Sequence, residues 1–397
     1  MNTSQDPPGA TGSLWRNGQL ASLLVVVFAG FTSFGLTLAA LPQWAALGGA
    51  GVALVGVVTT AMLTATVLVQ VVVPFLTTRI RGDWLLAIGL LLLGLPAPLY
   101  VLSNDVLWLV AVSLFRGAGF GILTVLGASL AVNIAPPNRR GQVVGFYGVA
   151  IAIPTTVGVP VALTWTLEGN FAWAAFGAIA PALVAWLALR LRPAFSQTAA
   201  TAVGSARLMA HGRDVVAALG PSLVMFAVTF AGAGFLTFLP LSSNVGDRVV
   251  HAIWVFSLAG AAARFGAGFL ADRWGSKHLL FVSTVLAGVG LAIVAVDLSG
   301  SEFGWPGLLG AVLFGVGYGA VQNLALLEAV ARTVNNEVAS SVWNIGYDAG
   351  TATGAWVVGL IAATVAGVSG GLGVAAVGLL GCAWVSLVRR REAVRSG

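Results

Sequence analysis

The chain has 397 residues, of which 58% are hydrophobic and only 8% are charged, and its mean hydropathy is +0.96. Soluble domains carry about a quarter charged residues, so this composition excludes a water-soluble enzyme, a disordered chain and a secreted disulfide scaffold. The single cysteine, Cys382, excludes an internal disulfide and a cysteine-based metal cluster. The single lysine, Lys277, does not complete a phosphate-binding loop, which argues against an ATP-driven pump.

Apolar segments long enough to cross a bilayer recur along the whole chain. A hydrocarbon core of about 30 Å requires about 20 helical residues, and no segment shows the alternation typical of a membrane β-strand. The sequence therefore predicts an all-α integral membrane protein with twelve transmembrane helices. The predicted spans are 20–44, 52–76, 84–102, 106–134, 142–166, 171–190, 217–240, 249–270, 278–297, 305–330, 338–366 and 371–388.

The spans fall into two groups of six, separated by the longest polar stretch. This stretch is rich in Ala, Ser, Thr and Arg, too short for a domain, and is interpreted as a cytoplasmic linker. No secretory cleavage pattern precedes the first span, so no signal peptide is predicted. The expected organisation is an N-terminal tail (1–19), a first six-helix bundle (20–190), the linker (191–216), a second bundle (217–388) and a basic tail (389–397).

The distribution of basic residues predicts the orientation of the chain in the membrane. With the N-terminus in the cytoplasm, sixteen of the 19 Lys and Arg residues fall in cytoplasmic segments, as the positive-inside rule requires. Both termini are then cytoplasmic, and a bacterial inner membrane is the expected location. The run Arg389-Arg390-Arg391 is interpreted as an anchor at the inner leaflet rather than as a nucleic-acid contact.

Short glycine motifs indicate that the second group of spans repeats the first. Gly119-Phe120-Gly121 in span 4 recurs as Gly317-Tyr318-Gly319 in span 10, and at the same offset Gly148 corresponds to Gly346. Two parallel repeats predict two pseudo-symmetric six-helix bundles with a substrate site between them near the bilayer midplane. Rocking of the bundles would expose such a site to each side in turn.

The loop after span 8 carries the clearest family resemblance. Its sequence, Gly268-Phe269-Leu270-Ala271-Asp272-Arg273-Trp274-Gly275-Ser276-Lys277, resembles the signature loop of the major facilitator superfamily. In the first-half copy, Thr78 stands where the family usually has Asp. The resemblance implies the major facilitator fold and a secondary transporter, and it implies that Asp272, Arg273 and Lys277 belong to a structural latch.

Further motifs resemble the sugar and drug efflux permeases of this superfamily. They lie at 116–121, 136–141 and 343–350, and Gly158-Val159-Pro160 meets part of the antiporter signature of span 5. This resemblance implies efflux by antiport. Drugs, sugars, metal-chelating molecules and biosynthetic products all remain open as substrates.

Four ionisable side chains lie within spans, where they are costly and usually functional. Arg116 in span 4 and Asp348 in span 11 both lie near the midplane. Asp348 is the first candidate for proton coupling, with a hydrogen bond to Asn344 as the structural alternative. Arg116 is a candidate for holding an anionic substrate or controlling the carboxylate, with a tie to backbone carbonyls as the alternative. The central hypothesis is that these two side chains meet in a water-filled gap.

The other two ionisable residues lie closer to the cytoplasm. Glu328 precedes Arg332 by four residues, a spacing that pairs side chains on one helix face. We expect this pair to belong to the latch, with proton coupling by Glu328 as the alternative. Arg264 precedes Asp272 by about two turns and is also assigned to the latch, with a contact to substrate as the alternative.

Polar and aromatic residues on other spans are candidates for the cavity wall. A mixed apolar and amide wall would suit an amphipathic solute. Besides Arg116, the candidates are Gln70, Phe226, Phe230, Gln322, Asn323, Asn344, Tyr347 and Thr351.

The sequence thus predicts a proton-coupled exporter that moves a small organic molecule by alternating access. An importer or facilitator on the same scaffold is the first alternative. An intramembrane enzyme lacks paired catalytic groups in the spans, and a transport-dead sensor would carry a sizeable soluble domain. No cofactor or metal is expected beyond the proton gradient, nor is a nucleic-acid partner. The expected partners are a small-molecule substrate and the lipid bilayer, and one chain with both bundles suffices as a monomer.

Overall fold

The computed structural model describes residues 18–134, 140–195, 212–242, 246, 248–300, 302–334 and 336–395. Throughout these ranges the secondary structure is helical, joined by turns. The twelve long segments, named α1 to α12 in chain order, are Gly18–Leu47, Val52–Leu76, Gly82–Leu102, Val106–Ile134, Arg140–Leu167, Phe171–Phe195, Gly212–Leu241, Arg248–Trp274, Ser276–Leu298, Trp305–Arg332, Asn336–Ala362 and Gly367–Arg395.

Eleven of these segments are apolar and long enough to cross a membrane. The remaining one, α11, is 27 residues long but carries Asn344, Tyr347, Asp348 and Thr351, whose polar side chains lower its hydropathy. It packs among the other helices, and its polar face is turned to the protein interior. The twelve-helix architecture predicted from the sequence is therefore confirmed.

Several boundaries differ from the predicted ones. The predicted sixth span is divided into helices Phe171–Gly177 and Ala180–Leu183 and a 3-10 segment, Ala185–Leu191. The last turns of α3 are likewise a 3-10 segment, Ala97–Leu102, which follows Pro96. Helix α7 begins at Gly212, five residues before the predicted start, and α12 continues to Arg395. The predicted linker lies mainly in 196–211, outside the described residues.

The two halves of the chain repeat one packing scheme. In the first half, α1 packs on α5, and α4 packs on both α2 and α3. In the second half, α7 packs on α11, and α10 packs on both α8 and α9. Each contact of the first half thus recurs six helices later, as expected for parallel repeats of one bundle.

Glycines permit the closest of these helix contacts. A methyl group at Gly117 of α4 would overlap the carbonyl oxygen of Met62 in α2, and one at Gly319 of α10 would overlap that of Gly260 in α8. Gly350 of α11 lies equally close to the backbone of Phe226 in α7. Small residues at helix contacts let backbones approach in a membrane, where packing must drive association.

The two halves meet along two seams. We name the side of the α1–α2 loop (48–51) the Gly48 side and the side of the α2–α3 loop (77–81) the Arg79 side. On the Gly48 side, α2 packs tightly on α11: Thr60 Oγ1 donates to the Ala352 carbonyl at 2.8 Å, and Gly56 lies against the Ala355 carbonyl. In the second seam, α5 and α8 share one apolar core that includes Leu163 and Ile253.

Towards the Arg79 side, α5 and α8 no longer contact each other closely. A methyl group built on Gly145 or Gly148 of α5, or on Gly266 of α8, would meet no atom within 4 Å. The halves therefore close on the Gly48 side, and a cavity lies between them towards the Arg79 side.

Candidate functional site

A cavity of about 150 Å³ lies between the halves and is partly open to solvent. It is lined by side chains from both halves, and those of the two walls differ in character. The first-half wall consists of Phe31, Phe34, Leu38, Phe120, Thr124, Ile151, Ala152, Thr155, Thr156 and Val159. The second-half wall consists of Leu236, Phe256, Ser257, Gly260, Ala261, Arg264, Tyr318, Gly319, Gln322, Trp343, Asn344, Tyr347 and Asp348.

The first-half wall is apolar and aromatic. Phe34 and Phe120 stack with ring centroids 4.6 Å apart, and Phe31 meets Phe120 edge-on at 5.3 Å. Phe34 and Phe120 are buried, whereas Phe31 is partly exposed. Among the described side chains of this wall, the polar groups are the hydroxyls of Thr124, Thr155 and Thr156, and Thr155 donates its hydroxyl to the Ile151 carbonyl of its own helix. This wall therefore offers aromatic contact area without charge.

Asp348 joins the two halves at the edge of the cavity. Gln70 Nε2 of α2 donates to Asp348 Oδ2 of α11 at 2.7 Å and also contacts Thr124 Oγ1 at 3.1 Å. Asn344 instead donates to the Ser340 carbonyl of its own helix, so the bond to Asp348 named as the structural alternative is absent from the structure. Asp348 is only 4% exposed, although its side chain contributes to the cavity wall.

Arg264 is the cation of the cavity wall. Its Nη1 donates to Gln322 Oε1 at 2.9 Å, and its backbone carbonyl accepts a bond from Asn323 Nδ2 at 3.0 Å. Among the described residues, no carboxylate lies within ion-pair distance of its guanidinium. Arg264 thus has the cavity position predicted as its alternative, whereas its assignment to the latch stays a prediction because the Asp272 side chain lies outside the described residues. Arg264 lies ten residues before the end of α8, about 15 Å along the helix, on the face that lines the cavity.

Arg116 lies away from the cavity, inside the first bundle. It is fully buried, its Nε donates to the Leu93 carbonyl at 3.0 Å, and its Nη2 donates to the Ser33 carbonyl at 3.1 Å and the Ser33 hydroxyl at 2.9 Å. The guanidinium also lies 5.1 Å from the Tyr100 ring centroid. Arg116 and Asp348 thus do not meet, which corrects the central sequence hypothesis. Arg116 instead forms the hydrogen bonds to backbone carbonyls that the sequence offered as the alternative.

We expect Arg116→Lys to lower the unfolding free energy of the detergent-solubilised protein by about 2–4 kcal/mol. A lysine ammonium cannot reach both the Leu93 and Ser33 carbonyls, and each lost bond from a charged donor costs about 1.5–3 kcal/mol. Denaturant titration followed by tryptophan fluorescence measures the change. The exposed Arg213→Lys serves as the control and should be neutral. A stable Arg116→Lys protein that lacks transport would contradict a purely structural role and would show that Arg116 takes part in transport.

Glu328 lies outside the cavity and pairs with Arg332 as predicted. Arg332 Nη2 lies 3.1 Å from Glu328 Oε2, and the Ser276 hydroxyl donates to Glu328 Oε1. The carboxylate is buried, whereas the arginine is about 42% exposed. These bonds connect the Arg79-side end of α10 to the start of α9. The arrangement is that of a structural tie between two helices of one half.

We expect Glu328→Gln to lower the unfolding free energy by about 1–2 kcal/mol and to leave proton-driven transport intact. The amide retains the Ser276 bond but loses the charge-assisted bonds from Arg332, whose exposure to solvent limits their value. Thermal unfolding and gradient-driven uptake, measured on the same preparation, separate the two effects. Loss of the proton dependence in a stable Glu328→Gln protein would make Glu328 a proton carrier.

The remaining sequence candidates are divided between the cavity and the helix contacts. Gln322, Asn344 and Tyr347 line the cavity, and Gln70 reaches it through Asp348. The cavity lining does not include four others, which are Phe226, Phe230, Asn323 and Thr351. Of the latch, Arg273 and Lys277 are exposed, and the Asp272 side chain lies outside the described residues.

Several residues that line the cavity were not among the candidates predicted from the sequence, above all Tyr318 and Trp343. The Tyr318 hydroxyl interacts with that of Tyr347, and both tyrosines lie near Arg264. A signal existed for each, because Tyr318 lies within the repeated glycine motif of α10 and Trp343 precedes Tyr347 by one turn. Within the described residues, no group of three His, Cys, Asp or Glu side chains is arranged to hold a metal ion.

Comparisons with known proteins agree with this architecture. The sequence model of the Major Facilitator Superfamily matches residues 23–338. An uncharacterized MFS-type transporter of Salmonella typhimurium is 25% identical over 280 residues, which are 70% of each chain.

Solved structures share the fold at low sequence identity. The E. coli xylose transporter XylE, in a partially occluded inward open conformation, aligns with a TM-score of 0.72 at 15% identity, over 92% of this chain and 96% of its own. A bacterial homolog of the human lysosomal transporter Spinster gives 0.70 at 14% identity, over 96% and 98%. The nucleoside transporter NupG gives 0.67 at 16% identity, over 93% and 98%. The chain belongs to the major facilitator superfamily and is a multi-pass membrane transporter, not an enzyme.

Proposed function

We propose that this transporter is a proton-coupled exporter of a small organic molecule and that Asp348 carries the proton. One observation supports the proposal most directly. Asp348 lines the cavity and at the same time accepts a hydrogen bond from Gln70 of the other half. A group in this position can sense both the substrate and the relative arrangement of the halves.

The Gln70–Asp348 bond depends on protonation for a simple reason. An ionised carboxylate accepts a charge-assisted bond from the Gln70 amide N–H, whereas a protonated one can also donate. Gln70 Oε1 is buried without a partner among the described residues, so it is available to accept from a protonated Asp348 after rotation of the amide. The two protonation states therefore form different bonds across the α2–α11 seam.

The described groups around Asp348 include no second carboxyl that could bind the proton in its place. Thr124 of α4 contacts Gln70, and Tyr347 precedes Asp348 on α11. Arg264 of α8 and Tyr318 of α10 lie on the same wall but form no ion pair with Asp348. Protonation of Asp348 can thus shift the balance between two arrangements of the halves by the difference in seam strength.

The positions of the basic residues support one orientation of the transporter in the membrane. Arg79, Arg190, Arg213 and Arg273 all belong to the Arg79 side, which the positive-inside rule assigns to the cytoplasm. The cavity of this structure then faces the cytoplasm, and the Gly48 side faces outwards. A single chain supplies both walls of the cavity, so the transporter is proposed to act as a monomer in the cell membrane.

Inside-out membrane vesicles test direction and coupling together. Vesicles with and without the protein are energised by respiration, incubated with a polar metabolite extract, washed, and analysed by mass spectrometry. We expect solutes that accumulate only when the protein is present and that are lost on addition of an uncoupler. The same vesicles in right-side-out orientation should not accumulate them.

Other outcomes contradict the proposal in distinct ways. Gradient-driven accumulation only in right-side-out vesicles would make the protein an importer. Equilibration that is unaffected by the uncoupler would make it a facilitator.

A further inference from the structure

We propose that the cavity selects an amphipathic zwitterion, with an anionic group bound by Arg264, a cationic group at Asp348 and an aromatic or aliphatic body against the first-half wall. The inference rests on the proposed function, because it names the substrate of the same cavity. The observation behind it is that Arg264 and Asp348 line the same cavity wall and form no ion pair with each other.

Arg264 is prepared to bind an anion. Within the described part of the chain its guanidinium donates a hydrogen bond to Gln322 alone, whereas a guanidinium has five N–H donors in a planar fork. No carboxylate pairs with it among the described side chains. Its side chain is partly exposed towards the cavity, where a carboxylate or phosphate of the ligand can form a bidentate contact with the free donors.

The neighbours of Arg264 hold it in place without neutralising it. Gln322 accepts from Nη1, and Asn323 fixes the backbone carbonyl of residue 264. Tyr318 and Tyr347 add hydroxyl groups beside the guanidinium. Each neighbour is uncharged in the neutral pH range, so the net charge at this point of the wall remains positive.

Asp348 supplies the complementary acceptor for a cation. Tyr347 precedes Asp348 on α11 and lies near Arg264, so both charged side chains belong to the same part of the cavity wall. Asp348 and Arg264 nevertheless form no ion pair with each other. A ligand with a cation and an anion at one end can therefore engage both side chains of the second-half wall.

The position of the cation explains how such a ligand would be exported in exchange for protons. An ammonium group and a proton both neutralise the ionised Asp348, so each disfavours binding of the other. This competition is the requirement for antiport. A purely anionic ligand would bind better to the protonated protein and would therefore favour symport.

The opposite wall selects the body of the ligand. Phe31 is partly exposed beside the stacked Phe34 and Phe120 rings, and the described side chains of that wall carry no charge. Aromatic rings stack on such a surface, and apolar groups gain about 25 cal/mol for each Å² removed from water. Sugars, which are polar on all sides, fit this wall poorly.

Four naphthalene probes test the proposal by charge alone. 3-(2-Naphthyl)alanine is zwitterionic, 3-(2-naphthyl)propanoate is anionic, 2-(2-naphthyl)ethylammonium is cationic, and 3-(2-naphthyl)propanamide is neutral. Calorimetric titration of the full chain in detergent at pH 7.5 measures their affinities without a proton gradient. We expect the zwitterion to bind at least tenfold more tightly than any of the other three.

Variants assign each charge of the probe to one side chain. Arg264→Gln should reduce the affinity of the zwitterion at least tenfold, to that of the cation, and leave the cation unaffected. Asp348→Asn should reduce the zwitterion to the affinity of the anion. Arg264→Lys should retain part of the preference, and the exposed Arg213→Gln should change nothing. Thermal unfolding confirms that each variant is folded.

The proposal is overturned if the wild-type protein binds none of the probes, or binds the anion, the cation or the neutral amide as tightly as the zwitterion. It is also overturned if folded Arg264→Gln and Asp348→Asn alter all four affinities alike. Because the titration uses no gradient, failure of proton coupling in vesicles would leave the charge selectivity standing, and the reverse also holds.

Discussion

Asp348→Asn is expected to abolish accumulation driven by the proton gradient while preserving substrate exchange. Asparagine has the same shape and can still accept the Gln70 amide bond, but it cannot bind and release a proton. The loss should exceed tenfold and reach the level of vesicles without the protein. Uptake into energised inside-out vesicles measures it, and counterflow at saturating solute concentration measures the exchange that remains.

Glu328→Gln is the matched control, because it makes the same acid-to-amide change in the same half, outside the cavity. It should reduce stability without removing the gradient dependence. Normal gradient-driven accumulation by folded Asp348→Asn would show that this carboxyl is not required for coupling. The assignment of the fold would be unaffected.

Gly56→Leu is expected to hold the protein open on the Gly48 side and to reduce transport at least tenfold. A side chain at this position overlaps the Ala355 carbonyl, which is part of a helix backbone and cannot rotate away. Only separation of α2 from α11 relieves the overlap. The arrangement with a closed Gly48 side is therefore destabilised relative to its alternative.

A cysteine reporter measures this shift directly. Ser257 lines the cavity, so Ser257→Cys in a Cys382→Ser background reports access by a membrane-impermeant maleimide from outside the cell. Labelling should increase in Gly56→Leu but not in Gly145→Leu, which adds the same side chain into open space. Unchanged labelling with normal transport would show that the α2–α11 seam does not close the outer side.

The helical architecture could be predicted from the sequence because lipid imposes length and polarity on every span. Even α11, whose polar residues lower its hydropathy, could be predicted from the length of its run. The interruptions of α6 were not predicted. Its apolar sequence contains no feature, other than Pro181, that distinguishes a broken helix from a continuous one.

The cavity could be predicted only in part, because depth along a helix does not reveal which neighbour a face meets. Arg116 and Arg264 both lie deep within spans, yet Arg116 finds the Leu93 and Ser33 carbonyls inside its own bundle. Arg264 instead donates to the Gln322 side chain and lines the cavity. The rotation of each helix is set by packing among glycines and aromatic rings, which involves residues distant in sequence.

A proton on Asp348 is proposed to shift the balance between two arrangements of the halves. The distance between two labels across the Arg79 side measures this shift most directly. Thr78 and His278 are exposed on that side in different halves, so spin labels at Thr78→Cys and His278→Cys, in a Cys382→Ser background, report its opening by electron–electron double resonance. The account predicts that acidification shifts the wild-type distribution towards the shorter distance and that Asp348→Asn shows no pH dependence. A wild-type distribution that does not respond to pH, or a pH response that survives in Asp348→Asn, would contradict it.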